Sequence, residues 1–78
     1  MDELIEYIAR NLVLESEAVR VERVPRNNVS VYRLSVAPTD MGRVIGRQGR
    51  VATAIRMVMQ AAPIGQGRRC VLDIQERL

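Results

Sequence analysis

The residue types that metal binding and catalysis need are scarce in this sequence. It contains no histidine, no phenylalanine and no tryptophan, and its single cysteine is Cys70. Without histidine or a second cysteine, neither a plausible zinc site nor an internal disulfide can form. The carboxylates are not clustered, and Cys70 falls in an apolar alternation typical of a core position, so acid–base and nucleophilic catalysis lack candidates. We therefore expect no enzyme: no catalytic residue, no metal, no cofactor and no small-molecule substrate.

Membrane insertion and secretion are also disfavoured. No apolar run approaches the roughly 20 residues that a membrane span needs. The first six residues include three acidic residues and no basic one, where a signal peptide would be basic. The apolar fraction of 47% over 78 residues suffices for one small packed core. We expect one cytoplasmic domain, residues 1–78, with no membrane partner.

Charge is distributed unevenly along the chain. Residues 1–22 contain six acidic residues, whereas residues 41–72 contain six arginines and no acidic residue. A small domain with this asymmetry presents one basic face. An anionic partner is therefore expected on the side formed by the second half of the chain.

Hydrophobic periodicity predicts the order α-β-β-α-α-β. The predicted elements are a helix from Asp2 to about Leu14, strands at Val19–Val24 and Val29–Val36, helices at Pro38–Ile45 and Arg50–Ala61, and a strand at Arg68–Gln75. Turn residues 25–28 make the first two strands an antiparallel hairpin, and a right-handed crossover makes the second and third strands parallel neighbours. The predicted fold is a two-layer α/β (α+β) domain with a three-stranded mixed sheet, three helices on one face and the other face open.

The side chains expected to point into the core follow from the same patterns. They are Leu4, Ile5, Ile8 and Leu12 in the first helix, Tyr32, Leu34 and Val36 in the second strand, Val51, Ile55, Val58, Met59 and Ala62 in the third helix, and Cys70, Leu72 and Ile74 in the last strand. Residues 63–67 are predicted to form a flexible loop. Gly42 lies inside a predicted helix, where it costs about 1 kcal/mol relative to alanine, so either close helix packing or close approach of the anionic partner is expected there.

The most informative stretch is a pair of glycines, Gly46 and Gly49, that bracket Arg47 and Gln48 between two helices. Glycine lacks Cβ, so such a turn leaves its backbone open to close approach. The amino end of the following helix and the surrounding arginines favour an anion, such as a nucleic-acid phosphate. We call residues 46–49 the glycine turn.

Other glycine motifs fit this stretch less well. A Walker A loop ends in Gly-Lys-Ser/Thr, and a dinucleotide fingerprint has the spacing G-x-G-x-x-G after a strand, whereas this turn follows a helix. The spacing of Gly42 and Gly46 mimics a membrane helix-packing motif, but no membrane helix is predicted. A purely structural helix–helix corner stays an alternative, although it does not explain the basic surroundings.

The run V-I-G-R-Q-G-R-V-A-T-A-I, residues 44–55, resembles the KH-domain signature V-I-G-x-x-G-x-x-I-x-x-I and departs from it only at position 52, where alanine stands in place of isoleucine. The predicted element order resembles the type II, or bacterial, KH fold over nearly the whole chain. Residues 37–50 further resemble the small stand-alone bacterial KH proteins called KhpA. The resemblance implies a cytoplasmic RNA-binding protein that is an RNA chaperone or regulator. It also implies a homodimer, or a heterodimer with a larger, Jag-type KH protein, and a link to cell-envelope growth and cell shape.

KH domains hold about four nucleotides of single-stranded RNA against such a turn. The RNA-binding residues we expect are Gly46, Arg47, Gln48 and Gly49 in the turn, Arg43 and Arg50 beside it, and Val44, Ile45, Val51 and Ile55 as an apolar floor for bases alongside the second strand. Because phenylalanine and tryptophan are absent, stacking on aromatic rings is missing and one copy should bind weakly. The main alternative is a protein-interaction module in which the KH fold serves homo- or heterodimer docking.

Overall fold

The structure is a computed structural model in which residues 1–27, 29–61 and 69–77 are described. These residues form helix α1 (Asp2–Leu12), strands β1 (Arg20–Arg26) and β2 (Val29–Val36), helices α2 (Met41–Ile45) and α3 (Arg50–Ala61), and strand β3 (Arg69–Glu76). Single turns of 3-10 helix lie at Ser16–Ala18, Pro38–Asp40 and Arg47–Gly49. The predicted order α-β-β-α-α-β is confirmed.

The three strands form one mixed sheet in the order β1-β2-β3. Strand β1 pairs with β2 antiparallel, and β2 pairs with β3 in parallel, as predicted. In this register Tyr32 lies between Arg23 of β1 and Leu72 of β3. Pro25 lies within β1, which is compatible with an edge strand because its outer side needs no ladder hydrogen bond.

The core lies between the helices and one face of the sheet. The buried apolar side chains common to this layer are Ile5, Ala9, Val19, Tyr32, Leu34, Val36, Val44, Ile55, Met59, Cys70 and Leu72. Alternate residues of β2 are buried and half-buried, as expected for a sheet that is covered on one face only. The prediction that Cys70 is a core residue is confirmed.

Two of the predicted helices differ in their bounds. Helix α1 ends at Leu12 rather than near Leu14, because the backbone amides of Leu14 and Glu15 donate hydrogen bonds to the carboxylate of Asp40. The predicted helix at 38–45 begins as a 3-10 turn, and α2 itself starts only at Met41. The first difference arises from contacts of Asp40 with residues 25 and 26 positions earlier, which no local pattern predicts.

The strands and the stripe on α3 also need corrections. Strand β1 starts at Arg20 and continues to Arg26, so the hairpin turn is shorter than the predicted residues 25–28. Leu12 and Val58, both predicted to point into the core, are 38% and 44% exposed, whereas Ala52 is buried. Strand β3 continues to Glu76, while Ala62, the predicted loop at 63–67 and Arg68 lie outside the described residues.

Candidate nucleic-acid interface

The glycine turn reverses the chain between α2 and α3 with three residues at positive φ. Gly46 has φ 78° and ψ 169°, Gln48 has φ 58° and ψ 26°, and Gly49 has φ 75°. Gly46 donates its amide to the carbonyl of Gly42 at 2.9 Å, which closes the end of α2. Gly49 donates to the carbonyl of Gly46 at 3.1 Å, which closes the turn itself. The predicted helix–turn–helix is therefore present and is held by its own backbone.

Gly46 and Gly49 are required for different reasons. A Cβ placed on Gly46 would lie 2.5 Å from Cγ2 of Val51 and 2.8 Å from its backbone nitrogen. A Cβ on Gly49 would meet no atom within 4 Å, so only its positive φ favours glycine there. Gly46 thus lets the first turn of α3 pack directly against the glycine turn. Gly49 leaves the backbone of the turn without a side chain and exposed to a ligand.

The amides that the turn leaves available are those of its two middle residues. Gly46, Gly49 and Arg50 all donate to carbonyls of the same segment. Arg47 and Gln48 occupy the first positions of the 3-10 turn, where an amide has no intrahelical acceptor, and no carbonyl elsewhere in the described chain accepts from them. Gly46 and Gly49 thus use their own amides to close the turn, and the amides left for a ligand are those of the two residues between them.

The arginines around the turn are not equivalent. Arg47 and Arg50 are exposed, and no carboxylate of residues 1–27, 29–61 or 69–77 lies within 4.0 Å of either guanidinium. Arg43 donates its Nε to Oδ1 of Asp40 at 3.1 Å, so part of its charge is neutralised within the protein. Of these three arginines, Arg47 and Arg50 therefore keep a charge that no carboxylate of the described chain neutralises.

Asp40 is the buried charged residue that positions α2. Its Oδ1 accepts the amide of Leu14 at 3.1 Å, and its Oδ2 accepts the amide of Glu15 at 3.0 Å. Burial by itself raises the pKa of Asp40, but the two backbone donors and the Arg43 guanidinium together hold that pKa below its ordinary value. Asp40 therefore stays ionised at neutral pH and links the end of α1 to the start of α2.

The predicted apolar floor is smaller than expected. Val44 and Ile55 belong to the core, with 0% and 3% of their surface exposed, so they offer no surface to a base. Ile45 is 36% exposed, and Val51 is half-buried against the core. Only Ile45 and Val51 of the four predicted floor residues therefore reach the surface beside the turn.

Strand β3, rather than the predicted β2, lies alongside α2 and α3. Two side chains of α3 fasten it: Arg56 donates to the carbonyl of Leu72 at 3.3 Å, and Gln60 donates to the carbonyl of Cys70 at 2.9 Å. These contacts hold α3 against an edge strand and occupy some of its outward carbonyls. The periodicity of α3 placed Arg56 beside the apolar stripe but gave no sign of its acceptor.

Gly42 is exposed on α2, and a Cβ placed on it would meet no atom within 4 Å. Close packing of helix against helix, one of the two expected reasons for this glycine, is therefore excluded within the described chain. Its surface lies one helical turn before Gly46 and next to Arg43. Because Gly42 has no side chain, nothing projects from α2 at this position, and the surface beside the glycine turn is shallow there.

Searches of the described residues for other kinds of site found none. No group of three or more carboxylate, thiol or imidazole side chains is arranged to hold a metal ion in that part of the chain. No helix there combines the length and the apolar character that crossing a membrane requires.

Comparison with known proteins places the chain in one family. The family model for the KH domain of KhpA and KhpB matches residues 2–74. A protein of Clostridium perfringens named "RNA-binding protein KhpA" is 46% identical over 95% of this chain and 99% of its own length. Proteins of the same name from Halalkalibacterium halodurans and Aquifex aeolicus are 47% and 37% identical, over 95% and 97% of this chain and 97% and 96% of their own lengths.

No solved structure matches the chain significantly. The family match nevertheless covers almost the whole chain and includes all of the glycine turn. Its members are KH-domain proteins rather than enzymes, which agrees with the absence of catalytic candidates in the sequence. The chain therefore belongs to the KhpA/KhpB family of KH-domain proteins.

Proposed function

We propose that this protein, as a single KH domain over residues 1–78, binds single-stranded RNA by holding its sugar-phosphate backbone against the glycine turn. The observation that carries the proposal is the turn itself: it holds two amides and two flanking arginines for which residues 1–27, 29–61 and 69–77 offer neither an acceptor carbonyl nor a carboxylate partner. Amides and guanidinium groups arranged in this way complement a phosphate chain. The curated relatives are named RNA-binding proteins, which supports the choice of RNA.

In the proposed complex, phosphates lie against the amides of Arg47 and Gln48, and the Arg47 and Arg50 side chains add charge. Arg43 contributes less because it is paired with Asp40. Sugars and bases then pass over Gly42, Ile45 and Val51, which form a low and partly apolar surface. No aromatic side chain is among these residues, so each base gains little from stacking and we expect micromolar affinity for one copy.

The test is the double substitution Arg47→Asp with Gln48→Asp. It places two carboxylates where phosphate is proposed to bind. Stability should change little, because both side chains are exposed, aspartate tolerates the left-handed backbone of residue 48, and negative charge is favourable before a helix. We expect affinity for a short single-stranded RNA to fall by at least tenfold, measured by fluorescence anisotropy.

The hairpin turn provides a matched control, Arg26→Asp with Asn27→Asp. It makes the same change in net charge, and Asn27 also has a positive φ of 44°. If the loss of affinity came from net charge alone, both variants would bind equally weakly. Unchanged RNA binding by the Arg47→Asp, Gln48→Asp variant would show that the glycine turn is not the clamp.

A second candidate function, docking of a protein partner, is favoured by the outer surface of α3. Its residues 54, 57, 58 and 61 are exposed, uncharged and spaced to form one stripe, in which Met57 is 67% and Val58 44% exposed. Exposed apolar stripes of this spacing are typical of helix-mediated contacts. We propose that this α3 stripe pairs with a second copy or with a Jag-type KH protein. Two linked weak sites would then raise the affinity for RNA.

Measuring RNA affinity and sedimentation on the same variants separates the two candidates. Met57→Asp should abolish the dimer in sedimentation experiments and should weaken RNA binding only as far as the second site contributes. The Arg47→Asp, Gln48→Asp variant should instead keep the dimer and lose RNA. On this proposal the protein works in the cytoplasm as an RNA chaperone or regulator, and a link to cell-envelope growth and cell shape would arise through its RNA targets.

A further inference from the structure

The face of the sheet that the helices leave uncovered carries a regular arrangement of side chains. The register places four cross-strand rows on it: Arg26, Val29 and Arg69; Val24, Val31 and Val71; Glu22, Arg33 and Asp73; and Arg20, Ser35 and Gln75. We call this surface the open face and its second row the valine row. The members of the valine row on β1 and β2 are half-buried, and Val71 at the edge is 40% exposed.

The two rows beside the valine row have opposite chemical character. On one side, two arginines flank Val29 on the outer strands. On the other side, Glu22 and Asp73 occupy the same two strands, and Arg33 lies between them. The Arg33 guanidinium is 3.6 Å from the carboxylate of Glu22 and 4.0 Å from that of Asp73. The outer strands therefore present a cation, a valine and an anion in succession, each two residues apart.

This succession is complementary to itself. When a second copy is turned over about a two-fold axis that runs across the strands at the valine row, each outer strand covers its own equivalent. Arg26 then lies over Glu22 of the second copy, Arg69 lies over Asp73, and the valines meet one another. A two-fold axis along the strands would instead oppose Arg26 to Arg69 and Glu22 to Asp73. Charge therefore selects the first arrangement.

We propose that the open face is a weak docking surface for a second copy of this chain, packed sheet on sheet with the strands antiparallel across the contact. Three strands and seven residues span about 14 Å by 23 Å, so the contact would bury roughly 600 Å² in total. Stable complexes bury about 1,200 Å² or more. The contact is therefore transient and forms at high local protein concentration. The helices lie on the opposite side of the sheet, so the glycine turn stays accessible.

The test uses two charge variants and their mixture. One variant carries Arg26→Glu and Arg69→Glu, and the other carries Glu22→Arg and Asp73→Arg. Each opposes like charges in a homotypic pair, but an equimolar mixture opposes unlike charges at all four positions. We expect at least a tenfold loss of self-association for each variant alone, and recovery to within about threefold of the parent chain in the mixture. Sedimentation velocity over a concentration series measures both.

Two features keep the result interpretable. All chains carry Met57→Asp, so that pairing through the α3 stripe does not hide the weaker contact, and circular dichroism confirms that each variant is folded. Undiminished self-association of either variant alone, or a mixture that stays monomeric while the parent chain associates, would overturn the proposal. A parent chain that is monomeric throughout, together with RNA affinity lost on Arg26→Glu and Arg69→Glu, would assign the open face to RNA and also overturn it.

Discussion

Replacing each of three glycines by alanine should produce three different changes in stability. Gly42→Ala should stabilise the protein by about 0.4–1 kcal/mol, because the site is helical, exposed and free of neighbouring atoms. Gly49→Ala should cost about 1–2 kcal/mol for its positive φ alone. Gly46→Ala adds to that strain a Cβ 2.5 Å from Val51, and overpacking costs about 1–3 kcal/mol more.

The expected order, from the highest melting temperature to the lowest, is therefore Gly42→Ala, wild type, Gly49→Ala and Gly46→Ala. Each kcal/mol shifts the melting temperature of a domain of this size by about 4–8 °C, so thermal unfolding followed by circular dichroism resolves the series. Val51→Ala provides the control: it removes the nearest clashing atom, so it should recover part of the cost in the Gly46→Ala background. Equal losses for Gly46→Ala and Gly49→Ala, or destabilisation by Gly42→Ala, would refute the reasoning.

The same series bears on RNA binding. If RNA crosses the low surface of α2, Gly42→Ala should lower the affinity while raising the stability. A packing defect cannot produce these opposite signs, because it would lower both. Unchanged affinity would remove Gly42 from the proposed interface and leave the glycine turn as its centre.

Two further predictions follow from the charges. In Asp40→Asn, at least one of the amides of Leu14 and Glu15 loses its acceptor, so the variant should be less stable at pH 7. Because the pKa of Asp40 is lowered in the folded state, its ionisation contributes stability that is present above about pH 4 and is lost as the pH falls through the folded pKa. The free energy of unfolding, measured in urea, should therefore depend less on acid pH for Asp40→Asn than for wild type. If RNA binding neutralises about three phosphates, the logarithm of the binding constant should fall with the logarithm of salt concentration with a slope near −2, and a flat response would favour the docking function.

Local sequence signals were sufficient for much of the fold. Alternation in β2 fixed which side chains enter the core, and the glycines at 46 and 49 fixed the position of the turn, because both patterns depend on residues close in sequence. The signals failed where a periodic position faces away from the core. Val58 continues the apolar pattern of α3 but lies to one side of the arc of the helix that Ala52, Ile55 and Met59 bury, so it is exposed.

The candidate site was predictable in its location but less so in its details. The motif indicated the turn and its arginines, yet not which amides stay available, since that depends on how the turn closes on itself. The amides of Gly46 and Gly49 donate hydrogen bonds within the segment itself, and the available donors belong to the residues between them. Val44 and Ile55 match the signature because the core needs them, so a signature position does not distinguish a binding residue from a buried one.

Asp40 shows why the orientation of the turn could not be predicted. It binds amides 25 and 26 residues away and pairs with Arg43 three residues ahead, so one carboxylate links the start of α2 to the end of α1 and lowers the charge of a proposed RNA contact. Removing it should have two opposing effects on binding: Arg43 gains a free charge, while α2 loses the support that orients the glycine turn. Because a freed arginine attracts any polyanion, the first effect raises non-specific affinity. Since the clamp needs a defined geometry, the second should reduce the preference for single-stranded RNA over duplex.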